Sequence, residues 1–264
     1  MTQAKPFFIS RLGASAIESL ENLGNATIFL LKIMLRSLTP PYRLKLVIDQ
    51  LYVVGFQSLS VITLVAIFTG AVLAVQGEYT LSKFGATAYT GPAVALSLIR
   101  ELGPVLTALM VIGRAGSAMT AELGIMKITE QTDALVSMGV DPLRYLIVPR
   151  FLACLIAVPL LASIFNVVGI LGGYLVATAT LDLSSGTFIS QMVQAIRDVD
   201  VNSGLVKSIC FGLCIGWIAS YKGYTSGLGA VGVNRATTQS VVTASVTILV
   251  LDYFLTSILT QVFM

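Results

Sequence analysis

From Leu51 to Val75, twenty-five consecutive residues pass without a single charge. A helix of that length reaches about 37 Å at 1.5 Å per residue, more than the ~30 Å hydrocarbon core of a bilayer. Composition extends this reading to the whole chain. Charged residues make up 11% of the 264 and hydrophobic residues 56%, whereas a soluble domain carries roughly a quarter charged residues. So little charge cannot cover a water-facing surface, and the pattern predicts an all-α integral membrane protein.

Five spans are expected, at 51–75, 93–112, 143–180, 201–220 and 237–263. The third exceeds one bilayer thickness, so it must tilt, kink at Pro159 or protrude. Before them, Phe8, Leu12, Ala16, Leu20 and Leu23 recur at helical spacing, with Arg11, Glu18 and Glu21 elsewhere on the wheel. That pattern suits a helix lying in the membrane interface. The apolar run at 28–35 is too short to cross and stops before Pro40–Pro41. Residues 1–48 are therefore expected to form an interfacial elbow. Residues 182–200 and 222–235 read as loops, and 113–150 as one long polar segment. No uninterrupted apolar stretch precedes a cleavage site at the start, so insertion is expected to rely on an internal span.

Orientation follows from the basic residues. With the N-terminus inside, twelve of the sixteen Lys and Arg fall on cytoplasmic segments, and only Lys83, Arg100, Arg197 and Lys207 fall elsewhere. This asymmetry predicts a cytoplasmic N-terminus, a cytoplasmic 113–150 segment and an external C-terminus.

Inventory argues against catalysis. There is no histidine, which removes the commonest general base and metal ligand. No G-x-x-x-x-G-K-[S/T] phosphate loop occurs, and Asp252 is the one aspartate well inside an expected span. Cys154, Cys210 and Cys214 sit in apolar runs without neighbouring ligands and read as packing residues. Small residues at Gly113, Ser117, Ala121, Gly169 and Gly173 permit close helix contact.

Two groups of polar residues remain to be explained. Arg100 and Glu101 interrupt the second expected span, where a charge costs at least about 2.5–3.5 kcal/mol. Arg100 reads as the basic residue deep within a span, and Pro104 behind it as a candidate kink. Arg100, Glu101 and Asp252 are candidate substrate-binding residues with Leu73 and Leu102 as an apolar surface beside them. The competing reading is a structural ion pair between Arg100 and Asp252, or with a second subunit. The other group lies at 125–139, where Lys127–Met138 reads as a short helix ended by Gly139. Asp141–Pro142 supplies the next N-cap and first helical position. Ile128, Thr132, Leu135 and Met138 share one side of that helix, and Glu130, Asp133 and Ser137 share an exposed one.

The order Asp133-Ala134, Gly139, Ile147, Pro149 resembles the loop by which bacterial ABC permeases couple to their ATPases. ALSLIRELGPVLTALMVIGRAGSAMTAELG (95–124), TEQTDAL (129–135), MGVDPLRYLIVPRFLA (138–153), NRATTQSVV (234–242) and LDYFLT (251–256) together resemble the MlaE, or YrbE, permeases. The resemblance covers essentially the whole chain as a single permease domain. It implies the membrane subunit of an ABC-type transporter moving phospholipids between inner and outer membrane, thereby maintaining outer-membrane lipid asymmetry. It also implies a homodimer in the inner membrane, without cofactor or ATPase site of its own. The implied partners are an MlaF-like ATPase that binds ATP, an MlaB-like STAS protein and an MlaD-like periplasmic MCE protein. Residues 125–139 would then be the coupling helix, with Glu130, Asp133, Ser137 and Gly139 facing the ATPase. A non-transporting scaffold or an energy-independent lipid channel that anchors MCE proteins is the alternative reading.

Overall fold

The structure, a computed structural model, describes residues 8–40 and 43–263, with side chains at 17, 20–40 and 43–261. Among the described residues it contains helices and no strand. Residues 1–42 and 43–264 form two separate compact units.

The first unit holds one helix, α1 (Phe8–Leu38). The interfacial helix expected through Leu23 and the apolar run at 28–35 lie on this one continuous helix, because nothing between Leu23 and Ile28 breaks a helix beyond Gly24. Leu20, Leu23, Leu31, Leu35 and Leu38 are all exposed on it. The side chains of Phe8, Arg11, Leu12, Ala16 and Glu18, like residues 1–7, lie outside the described residues.

The second unit contains five helical stretches long and apolar enough to cross a membrane: Leu44–Ser82, Thr87–Ile128, Leu143–Ala179, Asp198–Tyr224 and Gly229–Gln261. The first stretch is α2 (Leu44–Val54) and α3 (Leu59–Ser82), joined by a tight turn at Phe56–Ser58. The second runs through α4 (Thr90–Ser97), α5 (Gly103–Val111) and α6 (Ser117–Ile128), separated by wider π-helical turns at Leu98–Leu102 and Ile112–Gly116. The short α7 (Gln131–Ser137) follows. A third π-helical turn, Leu143–Ile147, leads into α8 (Val148–Ala179). After it come α9 (Ser185–Ala195), α10 (Asp198–Tyr224) and α11 (Gly229–Phe263).

Three loop expectations are corrected. Residues 113–128 are the end of the second long helix, since Met119, Thr120, Leu123 and Gly124 sustain helical burial through the polar stretch. The expected loop at 182–200 contains α9, which buries Phe188 and rests that ring edge-on against Tyr174. The loop after α10 shrinks to four residues because α11 begins at Gly229. As for the long third span, α8 keeps Pro159 inside a continuous helix of about 48 Å, so it outreaches the hydrocarbon core.

Close helix contact comes from glycine. A Cβ placed on Gly70 of α3 would collide with the Gly169 carbonyl oxygen of α8, and one on Gly173 would lie 3.0 Å from the Gly70 carbonyl oxygen. Gly169 and Gly173 thus act as their spacing suggests, whereas Gly113 has open space around it. The remaining faces of these helices are apolar and exposed, as at Leu64, Phe68 and Val72 on α3 and Leu160, Val167 and Leu171 on α8. Exposed apolar surface on that scale belongs against lipid.

Candidate functional site

Proline shapes the polar centre of the molecule. Pro104 has no N–H to donate to the carbonyl of residue 100, and its ring crowds that carbonyl. The helix answers with a π-helical turn rather than the expected simple kink: the Gly103 N–H donates to the Leu98 carbonyl, five residues back. Leu143–Ile147 stands in the same relation to Pro149. Widened turns of this kind are frequent at functional sites, and the first one carries Arg100 and Glu101.

Both charges meet α10 rather than each other. Arg100 Nε lies 3.0 Å from Asp200 Oδ1. Asp200 is held in place independently, since its Oδ2 accepts from the Arg197 N–H at 2.9 Å and so caps the start of α10. Glu101 meets Lys207 instead, whose Nζ lies 2.5 Å from Glu101 Oε2. Lys207 is 2% exposed, and its ammonium also reaches Thr256 Oγ1 at 2.7 Å and Asp252 Oδ1 at 3.1 Å on α11. The Asp252 contact is an ion pair by distance, but its angle is too poor for a hydrogen bond. Thr256 in turn donates to the Asp252 carbonyl at 2.8 Å, one turn back. Three of the five long helices are thus joined through one ammonium.

A cavity of about 400 Å³ opens on this network, with Arg100, Glu101, Lys207 and Thr256 in its wall. That volume falls within the range usual for small-molecule sites. Side-chain exposure separates the charges: Arg100 at 31% and Glu101 at 42% face the open space, whereas Asp200 at 7% and Lys207 at 2% stand behind them.

Several expectations change here. Arg100 is not the one basic residue deep in a span, because Lys207 is buried more completely. Asp252 belongs to Lys207, so the Arg100–Asp252 pair does not form. Leu73 and Leu102 are half-buried and are not among the described residues that line the cavity. Asp200, Lys207 and Thr256 escaped the sequence reading, although Asp200, Gly204 and Lys207 recur at i, i+4, i+7, one face of a helix.

The 125–139 segment is built differently from the expected single helix. Residues up to Ile128 finish α6, and Glu130 adopts a left-handed backbone (φ 57°) as the break before α7. Glu130 therefore precedes α7 rather than riding on its face, while Glu130, Asp133 and Ser137 are all exposed as expected. On the other side Thr132 is buried and Ile128 and Leu135 are half-buried, but Met138 is 76% exposed. Gly139 (φ 72°) ends α7: its N–H donates to Val136 O and the Val140 N–H to Leu135 O, each at 2.9 Å. This double reversal is the Schellman pattern, in which glycine bears the left-handed residue without a Cβ penalty. Asp141 Oδ1 accepts from the Leu143 N–H at 3.0 Å and starts the next helix as expected.

The helices bracketing α7 are firmly tied. Thr120 of α6 hydrogen-bonds to Ala219 O of α10 and to Ser240 Oγ of α11, and Lys127 donates to Ser226 O beyond the end of α10. Arg150 of α8, 5% exposed, pairs with Glu122 of α6 at 3.2 Å. Arg114, in the second π-helical turn, donates to Val53 O at 2.8 Å, Ser58 Oγ at 3.1 Å and Gln57 Oε1 at 2.6 Å. It thereby clasps the joint between α2 and α3. Both arginines, expected in a solvated loop, are structural ties within the helical body.

Five apolar helical stretches around a buried charge network and an open cavity define a polytopic membrane protein of the kind that passes or holds a ligand within the bilayer. The family described as Permease MlaE matches residues 47–258, and the chain belongs to that family. It is 43% identical over 253 residues to the intermembrane phospholipid transport system permease protein MlaE of Haemophilus influenzae, covering 96% of this chain and 97% of the relative. It is also 43% identical over 251 residues to a probable ABC transporter permease protein of Rickettsia bellii, covering 95% and 97%. The Arabidopsis thaliana chloroplastic protein TRIGALACTOSYLDIACYLGLYCEROL 1 is 36% identical over 230 residues, covering 87% of this chain and 66% of the relative.

Proposed function

We propose that this chain is the membrane subunit of an ABC-type transporter moving phospholipids between the inner and outer membranes, and that the cavity at Arg100 receives the lipid headgroup. The observation that carries this reading is the partly exposed Arg100 at the edge of a cavity of about 400 Å³ inside a membrane-spanning bundle. A phosphate leaving bulk water needs a cationic donor, and the planar guanidinium fork suits its oxygens. Asp200, fixed by its capping bond, keeps that fork poised, while Lys207 holds Glu101 beside it. Leu73 and Leu102, half-buried and outside the described cavity wall, would offer apolar surface to the acyl chains.

The chain would sit in the inner membrane as a homodimer, with the N-terminus cytoplasmic and the C-terminus periplasmic, as the distribution of basic residues favours. ATP would be bound by an MlaF-like ATPase, the chain itself having no ATPase site and no cofactor. The exposed α7 with Glu130, Asp133, Ser137 and Gly139 would dock in that ATPase, next to an MlaB-like STAS protein. An MlaD-like MCE protein would receive or deliver lipid on the periplasmic side. Movement of α7 would pass directly into α6, which Thr120 and Lys127 tie to the fourth and fifth spans and Glu122 to the third.

Replacing Arg100 with alanine tests the headgroup role. Phospholipid copurifying with the dimer should fall several-fold while the dimer stays assembled. An assembled Arg100→Ala protein that retains its full complement of phospholipid rules the role out.

A further inference from the structure

Among the described residues that line the cavity or pair with its wall, the charges do not balance. Arg100 and Lys207 supply two cations, and Glu101, Asp200 and Asp252 supply three carboxylates, all within the contacts given above. Asp200 is committed to Arg100 and to the start of α10. Lys207, a single ammonium, is shared by Asp252 and Glu101. The surplus negative charge therefore resides on that pair. Of the two, Glu101 is the more exposed, with 42% of its side chain open against 21% for Asp252, and Glu101 lines the cavity. Its Oε1 has only a long 3.4 Å contact, from Thr256 Oγ1, whereas Oε2 is taken by Lys207. The other lining groups, Leu96, Ser97, Val199, Ser203, Leu259 and Thr260, are uncharged. A carboxylate in surplus, with an under-used oxygen, in a wall whose other described charged groups, Arg100 and Lys207, are already engaged by carboxylates, is matched by a cation from the ligand.

We propose that Glu101 is a specificity-determining residue that takes the ammonium of a zwitterionic aminophospholipid, beside the Arg100 that takes its phosphate. This rests on the headgroup reading of the cavity. Adjacent in sequence on one π-helical turn, the two residues present one positive and one negative group to the same space, which is the charge pattern of a phosphoethanolamine headgroup. An anionic lipid with no amine would satisfy Arg100 and leave the surplus on Glu101 uncompensated, adding its own charge to it. Selection then comes from a repulsive element as well as an attractive one. Lys207, paired in turn with Asp252, acts through Glu101 by holding its other oxygen.

The full-length chain, stripped of lipid in detergent, is titrated by native mass spectrometry with short-chain phosphatidylethanolamine and with phosphatidylglycerol of identical acyl chains. Wild-type protein should bind the amine-bearing lipid about ten- to a hundredfold more tightly, as a charge-assisted contact allows. Glu101→Gln should reduce the ratio to within about threefold, mainly by weakening phosphatidylethanolamine. A second measurement leaves the protein untouched: N-acetylated phosphatidylethanolamine, whose nitrogen carries no charge, should bind wild type like phosphatidylglycerol. A ratio near one in wild type, a preference that survives Glu101→Gln, or N-acetylated lipid binding as tightly as the free amine overturns the assignment. Arg100→Ala separates this from the underlying reading. If it weakens both lipids while Glu101→Gln leaves the ratio intact, only the ammonium assignment falls. If it changes neither, the headgroup cavity itself is wrong.

Discussion

Removing the Lys207 ammonium puts the charge network under the sharpest strain. Lys207→Met keeps the length and apolar stem of the side chain but strands Asp252, whose side chain is 21% exposed, and Glu101 at 42%. Breaking a buried ion pair from one side costs about 3–5 kcal/mol, because the remaining charge is neither hydrated nor paired. Most of that falls on Asp252, since water entering the cavity screens the more exposed Glu101. The Lys207–Thr256 hydrogen bond adds about 1 kcal/mol. Against a typical stability of about 5–15 kcal/mol the loss is large. Trp217, the single tryptophan, lies on α10 with Lys207, so its fluorescence during unfolding in micelles reports on the affected helix. Lys207→Met should unfold much earlier than wild type, and adding Asp252→Asn should restore part of the difference by removing the stranded charge. If Lys207→Met stays within the ±0.5 kcal/mol or so of an ordinary surface change, the network is not the structural centre described above.

Other perturbations follow from the geometry. Glu130→Lys with Asp133→Lys should abolish ATPase binding or stimulated ATP hydrolysis, since like charges at an interface cost several kcal/mol; normal pull-down of the ATPase by the folded double variant would refute the α7 contact. Gly70→Leu should cost at least about 1–3 kcal/mol in a micelle melt, because any side chain there meets the Gly169 carbonyl, whereas Gly113→Ala, in open space, should leave the melt almost unchanged. Arg114→Met removes three hydrogen bonds at the joint of α2 and α3, so amide exchange at residues 53–58 should speed up while that in α8 stays slow. Gly139→Ala should cost about 1–2 kcal/mol by forcing a Cβ into the left-handed region, measurable as earlier unfolding of α7 by exchange.

Apolar run length was enough to read the all-α membrane fold, because a span of about twenty uncharged residues has no other favourable state in this composition. Helix ends were harder. Gly113, Arg114 and Ser117 look like loop residues, yet Arg114 satisfies its charge on the carbonyl and side chains at Val53–Ser58 and so remains inside the helix. Tertiary partners of that kind are invisible to a local pattern. The same holds at α9, where docking of Phe188 beside Tyr174 stabilises a helix that its own residues barely specify. Of the site, Arg100, Glu101 and Asp252 were legible because a charge in an apolar run demands a reason. Their pairing was not, since Lys207 lies 106 positions beyond Glu101 and reads as one more basic residue near a span end. Gly139 as a helix stop and Asp141 as an N-cap were legible, because turn and cap chemistry is local.

The most direct test of a headgroup-binding cavity in a phospholipid transporter is ATP-driven lipid transfer by the complete complex, reconstituted with its ATPase and its MCE protein in vesicles. Labelled phospholipid is followed between the vesicle membrane and the MCE protein. Wild type should transfer lipid only with ATP, and Arg100→Ala, with all subunits still assembled, should transfer it at least about tenfold more slowly, the factor expected from one lost charge-assisted contact. Transfer by the assembled Arg100→Ala complex at the wild-type rate, or wild-type transfer indifferent to ATP, would contradict it.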